Sequence, residues 1–517
     1  MVLKIGILGE NSAGWRLLLE QVGIPYKVVT NIPGTDELSV LIVPDSVNEN
    51  NSVRDYLSNG GAIICSGRKY SQLSGTKTAQ TFIKYLLGEK DSKFSGIGML
   101  DVGLVGNIPS HANILRTSYG QFTGYLGEYG GGNVIVLPFD AGEVVLDNRT
   151  TTKSFYSNHN RLPFEQVSWV SKGNLLKLVS RSLEILHHQR GLPFVHKWYF
   201  PKDSQTIFSW RIDTDYANKR EIEHLYNLIK SYEVPATWFV DIKSQKEFLP
   251  MFKQMEGQEI GIHCYAHETY EDYERNIVNI RMAIESFANV GLRASGFAAP
   301  FGKWNSGISR TINECGFDYS SEFSYDYDNV PSFPIVVEKK SAAMQLPVHP
   351  ISIGSLRRLG FEESMMIQYY HRLMETKLMN REPVILYHHP KNGNDAVVKS
   401  IFEFVKSHSM KTYRMIDYAK WWKKRHQLKM ELIFKNPMLN INLSNMESDL
   451  WIRIVQPDGR EIITEPRSKI NFKELRWMKQ PEQCPLPTDI YRIRKFNPWI
   501  PMLHLQDKIS KIYFQRH

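Results

Sequence analysis

The chain contains few cysteines, and their placement excludes a disulfide-stabilised scaffold. Cys65, Cys264, Cys315 and Cys484 are scattered over 517 residues and form no CxxC pair. Small secreted domains instead carry cysteines in even numbers at close spacing. The pattern is typical of a protein from a reducing compartment.

Long hydrophobic runs are also absent. No stretch reaches the roughly 18 apolar residues that a membrane-spanning helix needs. The apolar N-terminal segment, residues 1–10, is too short and too soon interrupted for a signal peptide. We therefore expect a soluble, cytoplasmic protein.

The composition excludes an intrinsically disordered chain. It is 42% hydrophobic and 23% charged, which is ordinary for a globular protein with buried cores. At about 100–200 residues per domain, the length corresponds to about three domains.

The net positive charge of the chain comes from its C-terminal part. Residues 420–517 contain 19 Lys and Arg against 10 Asp and Glu, which accounts for the whole net charge of +9. Such a segment can contact phosphate, anionic lipid or acidic glycan, or it can be a solvated basic face. Residues 421–426 (WWKKRH) either contact a membrane surface weakly or form the end of a helix packed on the preceding domain. No motif indicates nucleic-acid binding.

The order of predicted elements divides the chain into three regions. In residues 1–195, short buried strands alternate with helices, which indicates an open parallel sheet in an α/β domain. Residues 200–426 repeat this alternation and predict a barrel-like α/β domain. Residues 430–517 show period-two alternation around a turn at residues 457–459 (PDG), which predicts a small, basic β-rich domain.

Four polar clusters in the middle region each follow a predicted strand, where catalytic residues of such barrels lie. The clusters are residues 209–216 (SWRIDTDY), 261–268 (GIHCYAHE), 296–302 (GFAAPFG) and 384–390 (VILYHHP). Asp213 and Asp215 leave the same side of the chain if it stays extended. His263 and His267 share one face if they form a helical turn. Two histidines and one carboxylate are a common ligand set for zinc or another divalent ion.

This set of motifs resembles the polysaccharide deacetylases, the carbohydrate esterases that include chitin and peptidoglycan deacetylases. Their order and rough spacing match over residues 206–425. The resemblance implies a deacetylase-type distorted (β/α) barrel in which Asp215, His263 and His267 bind the metal. It implies Asp213 as catalytic base and His388 or His389 as catalytic acid, of which strand register favours His388.

The match to the family pattern is incomplete at two points. The adjacent Asp-Asp pair of the family is interrupted here by Thr214, and Ala298 stands where the family has an arginine. In the family that arginine orients the base and balances its charge. Arg211 and Arg293 are the candidates to replace it in space.

The third cluster also supplies the predicted substrate contacts. Pro300 and Phe301 are expected to form a wall of the pocket. Trp304 follows the turn and either stacks on a sugar ring or packs in the core.

The N-terminal region resembles class I glutamine amidotransferase-like domains. Cys65 lies in the segment 60–67 (GGAIICSG), where a strand runs into a tight turn, like the cysteine elbow of that fold. No downstream His-x-Glu pair completes a triad, so we predict a non-catalytic relative with Cys65 as a buried apolar residue. A Cys65-dependent hydrolase or amidotransferase is the alternative.

We therefore predict a metal-dependent hydrolase that removes an N- or O-linked acetyl group from a sugar or glycan, with a divalent cation, zinc by preference. The alternative is a non-catalytic, metal-containing glycan-binding or scaffolding module that has lost activity along with the motif-three arginine.

Overall fold

The computed structural model of the chain describes residues 1–89, 92–444 and 449–503. The end of the predicted C-terminal domain, residues 504–517, therefore lies outside the described residues. Within the described part, no helix is both long and apolar enough to cross a bilayer.

The N-terminal region is built on a nine-stranded mixed sheet with the strand order β2-β1-β3-β4-β9-β8-β7-β5-β6. Its strands are β1 (Ile5–Leu8), β2 (Tyr26–Val29), β3 (Val40–Val43), β4 (Ala62–Ser66), β5 (Thr78–Leu87), β6 (Met99–Pro109), β7 (Ile114–Thr117), β8 (Phe122–Tyr129) and β9 (Gly132–Leu137). A separate hairpin follows, β10 (Thr150–Ser154) with β11 (Phe164–Ser168). The helices are α1 (Ala13–Val22), α2 (Asn50–Ser58), α3 (Gly67–Ser74), α4 (Ala141–Val144) and α5 (Lys172–Gln189). The predicted parallel arrangement holds from β2 to β9, and the pairs beyond β9 are antiparallel.

The middle region contains a parallel sheet that curls into a half-barrel, in agreement with the predicted barrel-like α/β fold. After β12 (Phe194–Lys197), the chain forms β13 (Ile207–Asp213), β14 (Ala236–Val240), β15 (Glu259–Ile262), β16 (Gly296–Phe297), β17 (Tyr319–Ser320), β18 (Ile335–Val336), β19 (Lys339–Lys340), β20 (Met344–Gln345), β21 (Val384–His388) and β22 (Lys411–Thr412). The order is β20-β17-β16-β15-β14-β13-β21, with β22 also beside β13, while β18 and β19 form a separate ribbon. The N–H of His349 donates to the carbonyl of Ile385 at 2.9 Å and so connects the segment after β20 to β21.

Helices connect these strands and cover the outside of the curled sheet. They are α6 (Lys219–Ser231), α7 (Ile242–Gln245), α8 (Leu249–Phe252), α9 (Tyr273–Asn289), α10 (Ser306–Glu314), α11 (Ile353–Arg358), α12 (Glu363–Met379), α13 (Asp395–Ser407) and α14 (Met415–Gln427). Alternate strand residues such as Trp210 and Trp238 are fully buried in one apolar cluster with the helices. This packing fixes the strands, so the residues at their carboxyl ends are held in place.

Two small antiparallel sheets lie in the C-terminal region. The strands are β23 (Met430–Lys435), β24 (Met438–Leu443), β25 (Ile452–Val455), β26 (Arg460–Thr464), β27 (Lys469–Asn471) and β28 (Met478–Lys479). One sheet has the order β23-β24-β27 and the other β12-β25-β26-β28. Strand β12 lies at the boundary between the first two predicted regions, but it pairs with β25 of the third region.

Helix α14 is joined to the N-terminal region and to the segment before β13 through a buried arginine. Arg425 is fully buried and donates hydrogen bonds to the backbone carbonyls of Gln21, Val22 and Trp198. Trp421 and Trp422, considered above as a membrane-surface patch, are buried in the same core. Their positions agree with the alternative in which the helix packs on its neighbours.

Candidate metal centre

Four polar side chains of the predicted site lie at or just after the ends of three strands of the curled sheet. Asp213 is the last residue of β13, and Asp215 follows two residues later. His263 comes directly after β15, and His389 directly after β21. All strands of this sheet run parallel, so their carboxyl ends share one edge and these side chains converge there.

Asp215 and two histidines form a three-residue donor cluster. Oδ1 of Asp215 lies 3.1 Å from Nε2 of both His263 and His267. In the described part of the chain these three are the only group of His, Cys, Asp or Glu whose donor atoms lie close enough together, within 4.8 Å, to hold one metal ion. The structure therefore brings together the three predicted metal ligands.

The local backbone reaches this arrangement by a route that the sequence did not predict. The chain does not form a helical turn between His263 and His267; it bends there, with Cys264 at a positive φ of 64°. Asp215 also has a positive φ, 22°, so the chain is not extended after Asp213 and the two carboxylates face different partners. Strained backbone of this kind is common at functional sites.

The orientation of His263 is fixed by the residue at the incomplete third motif. Nδ1 of His263 lies 2.6 Å from the carbonyl oxygen of Ala298. A carbonyl only accepts hydrogen bonds, so Nδ1 carries a proton, and Nε2, which faces Asp215, is the atom that can bind a cation once it gives up its own proton. Ala298 thus acts through its backbone.

The electrostatics of the cluster favour an ionised carboxylate. Burial alone would raise the pKa of Asp215, but the charge of His389 and hydrogen bonds from His263 and His267 hold this pKa well below its usual range. Burial would lower the pKa of His263, yet the charges of Asp213 and Asp215 raise it. A cation bound between these groups would replace the protons on the Nε2 atoms of His263 and His267, which face Asp215.

Asp213 is paired with a buried arginine from its own strand. Nε and Nη2 of Arg211 donate to the two carboxylate oxygens of Asp213 at 2.8 and 2.7 Å. Nη1 of Arg211 donates to the carbonyl of Ser321 at 2.5 Å, which fixes the guanidinium. Of the two arginines considered above, Arg211 therefore contacts the predicted base, whereas Arg293 is exposed.

The structure separates the two adjacent histidines after β21. Nε2 of His389 lies 3.2 Å from Oδ2 of Asp215. His388 is 1% exposed, its ring lies 5.9 Å from that of Trp210, and burial lowers its pKa to about 3. Successive residues of a strand face opposite sides. The predicted acid, His388, therefore points into the core, and His389 lies at the site.

Of the predicted substrate contacts, only the aromatic ring of Phe301 is adjacent to the cluster. Phe301 is 64% exposed, and its ring lies 5.0 Å from that of His267 in a T-shaped arrangement. Pro300 is buried in the turn. The ring of Trp304 contacts that of Tyr325 at 4.7 Å.

Two further residues near the cluster were given no role by the sequence analysis. Tyr216 is 63% exposed, and its ring lies 5.2 Å from that of His267. Asp241 follows β14 and is 1% exposed; within the described residues its carboxylate oxygens have no hydrogen-bond partner, and burial raises its pKa. The strand-end rule that located Asp213 would have found Asp241 as well.

The fold and site place this region in the class of parallel α/β half-barrels that carry a His₂-carboxylate cluster, here a candidate metal site, at the carboxyl edge of the sheet. Comparison with known proteins specifies the class further, because residues 209–320 match the family model "Polysaccharide deacetylase". Residues 209–320 of the middle region are therefore similar to polysaccharide deacetylases. A search of curated proteins finds no match.

Several solved structures are similar to about two fifths of the chain. One is a protein assigned as a polysaccharide deacetylase from Mycobacterium smegmatis, with 17% identity over 44% of this chain and 94% of that chain and a TM-score of 0.39. A family 4 carbohydrate esterase from Streptomyces lividans shares 12% identity over 40% and 92%, with a TM-score of 0.30. A CE4 family pseudoenzyme from Bacillus anthracis shares 14% identity over 43% and 68%, with a TM-score of 0.31. Identities and scores this low carry no functional assignment.

Proposed function

We propose that the chain is a metal-dependent hydrolase that removes an acetyl group, N- or O-linked, from a sugar or glycan. The observation that carries this proposal is the single oxygen of Asp215 that lies 3.1 Å from both His263 and His267, with Asp213 and His389 on the same edge. The family match over residues 209–320 supplies the reaction class.

The side chains present fit a divalent cation, and we propose zinc. Asp215, His263 and His267 offer one oxygen and two nitrogens, a donor set typical of catalytic zinc sites that keep a position open. The proton that Nδ1 of His263 shares with the Ala298 carbonyl leaves Nε2 for the cation. A divalent ion held there supplies Lewis acidity toward the acetyl carbonyl and lowers the pKa of water.

Asp213 and His389 would carry the proton transfers. Asp213 accepts a proton from the attacking water, and the bidentate contact with Arg211 keeps its carboxylate in one orientation. His389 lies on the other side of Asp215 and donates a proton to the departing amine or alcohol. His389 thus takes the role of catalytic acid that the sequence analysis gave to His388, because the ring of His388 is buried in the core.

Metal analysis followed by acetate release tests this proposal. Protein purified without a metal-affinity tag should hold about one divalent ion per chain, and an Asp215→Ala/His263→Ala variant should hold none. Metal-loaded wild type should release acetate from members of a panel of acetylated sugars, and Asp213→Asn should retain the metal but lose release. Absence of metal from the wild type after reloading would contradict the proposal.

A binding module without turnover is the second candidate, because Ala298 stands where the family has its arginine. Such a protein would bind an acetylated sugar in its metal-loaded form and release no acetate. The pairing of Arg211 with Asp213 favours the enzyme over this alternative.

For the flanking regions we propose limits of 1–195 and 430–517 around a deacetylase domain at 200–426. The first is proposed as a non-catalytic amidotransferase-like domain, since Cys65 is buried and burial raises the pKa of its thiol. The basic C-terminal region is proposed to make at most weak contacts with anionic surfaces.

A further inference from the structure

Two exposed aromatic side chains contact the ring of His267. The ring centroids of Tyr216 and Phe301 are 5.2 and 5.0 Å from that of His267, and both residues are more than three-fifths exposed. Large aromatic rings usually lose most of their contact with water on folding. Here two of them remain exposed at the rim of the proposed metal centre.

Both aromatic residues are held there by an unfavourable backbone conformation. Tyr216 and Phe301 each have a φ of 58°, in the left-handed region that bulky residues rarely adopt. Packing does not require these positions, because neither ring is buried. Such strain is characteristic of positions that contact a ligand. The C–H face of a pyranose ring is a suitable partner for exposed aromatic faces beside a deacetylation centre.

A lysine lies over each of these rings. Nζ of Lys391 is 5.6 Å from the ring centroid of Tyr216, and Nζ of Lys303 is 5.8 Å from that of Phe301. Both lysines are exposed, and neither forms an ion pair with an acidic group in the described part of the chain. They follow the third and fourth motifs, so they approach the cluster from two different loops.

Most acidic groups around the cluster are paired with other residues or buried, and none forms an ion pair with Lys303 or Lys391 in the described part of the chain. Asp213 is neutralised by Arg211, and Asp215 by the histidines or a cation. Asp241 is buried. The exposed carboxylate of Glu268 accepts a hydrogen bond from the neutral hydroxyl of Tyr270 at 2.5 Å, so it keeps its charge and offsets one of the two lysines. The rim of the site thus combines two stacking surfaces with two ammonium groups.

We infer that the substrate is an acetylated glycan that carries a carboxylate or phosphate group. Its sugar ring stacks on Tyr216 and Phe301, and its anionic group binds Lys303 and Lys391. This inference rests on the proposed function for the reaction, but the binding preference is measured independently of turnover.

Calorimetry on the metal-loaded protein tests the preference directly. The probes are a neutral N-acetylglucosamine oligosaccharide, an acetylated oligosaccharide containing uronic acid, and an acetylated hexosamine phosphate. We expect at least one anionic probe to bind about tenfold more tightly than the neutral one at low salt, and the difference to shrink as salt rises. The carboxylate and phosphate probes distinguish the two sources of charge.

Two sets of variants assign the effect to named residues. Lys303→Gln/Lys391→Gln should remove the anionic preference and leave neutral binding unchanged, whereas Lys406→Gln, an exposed lysine on α13, should change neither. Tyr216→Ala and Phe301→Ala should weaken all probes alike, with metal content measured as a control for His267. Equal binding of neutral and anionic probes, no binding of any probe, or a preference that survives loss of both lysines would overturn the inference. Anionic binding without acetate release would instead contradict the proposed function alone.

Discussion

The guanidinium of Arg211 forms two hydrogen bonds with the carboxylate of Asp213, at 2.8 and 2.7 Å, from a position two residues earlier in the same strand. Residues two apart in a strand face the same side of the sheet, so β13 itself brings both groups together. The family arginine is expected at position 298, where this chain has a fully buried alanine. In this chain the arginine that pairs with Asp213 therefore comes from β13 itself.

Replacement of Arg211 by alanine should impair both stability and turnover. It would leave Asp213 buried without its partner, and breaking a buried pair in this way costs about 3–5 kcal/mol. We expect Arg211→Ala to unfold at a lower urea concentration and to lose acetate release while still binding metal. Arg211→Lys keeps the charge but not the two parallel hydrogen bonds, so it should recover stability better than kcat.

An informative companion is the double variant Arg211→Ala/Ala298→Arg, which moves the arginine to the family position. Partial recovery of kcat over Arg211→Ala alone would show that the guanidinium acts by orienting Asp213. Unchanged urea midpoints and unchanged kcat in Arg211→Ala would refute the role given to this pair.

The two histidines after β21 should differ sharply in their effect on turnover. His389 lies 3.2 Å from Asp215, so His389→Ala should lower kcat by about 10²–10⁴-fold, the contribution typical of a general acid. His388 is buried, and among the described residues its Nδ1 has no hydrogen-bond partner, so His388→Leu should retain metal and most of the kcat. Steady-state acetate release with metal analysis of both variants checks this. The opposite ranking would restore His388 as the acid.

Site residues that are recognised by their spacing along the sequence were predicted correctly, whereas those that depend on side-chain direction or on contacts in space were not. Asp215, His263 and His267 were found because spacing and position after predicted strands are properties of the sequence. His388 and His389 were not distinguished, because facing direction at a strand end changes with a shift of one residue. The contact between Arg211 and Asp213 required knowing where the backbone runs, since Arg293 was an equal candidate by type.

The fold was predictable where hydrophobic patterns are local. Alternating strands and helices indicated the parallel half-barrel correctly, because each unit is contiguous in sequence. The pairing of β12 with β25 was not predicted, since it joins residues 194–197 to residues 452–455 across the whole middle region. Tyr216 was missed for another reason: nothing in its sequence context signals an exposed ring.

The ion pairs of Asp328 with a buried lysine and a buried histidine should make the protein sensitive to low pH. The carboxylate of Asp328 contacts Nζ of Lys377 at 2.7 Å and Nδ1 of His349 at 3.0 Å. Burial alone would raise the pKa of Asp328, but these charges hold it well below its usual range. A depressed carboxyl pKa stabilises the folded state above the unfolded value, near pH 4, and this contribution is lost as the pH falls further.

Asp328→Asn should therefore be destabilised by about 3–5 kcal/mol at pH 7, and the difference from wild type should diminish below about pH 4. Urea unfolding of both proteins at pH 7, 5 and 3.5 measures this. Asp458→Asn, which removes an exposed pair with Arg460, serves as a control and should shift the midpoint little at any pH. A pH-independent difference for Asp328→Asn would mean that the charge of this carboxylate is not what stabilises the fold.

The thiol of Cys65 should be unreactive in the folded protein. The residue lies in the buried strand β4 and is 2% exposed, within an apolar cluster that includes Val43 and Val136. Burial raises the pKa of this thiol, so almost no thiolate is present at pH 8. Iodoacetamide should label half-exposed Cys484 in the native protein, and Cys65 only after unfolding, as peptide mass spectrometry would show.

Cys65→Ala should lose about 1–2 kcal/mol of stability through the cavity it leaves, with acetate release unchanged. Rapid native labelling of Cys65, or loss of a hydrolase activity in Cys65→Ala, would instead indicate a second catalytic centre in the N-terminal region.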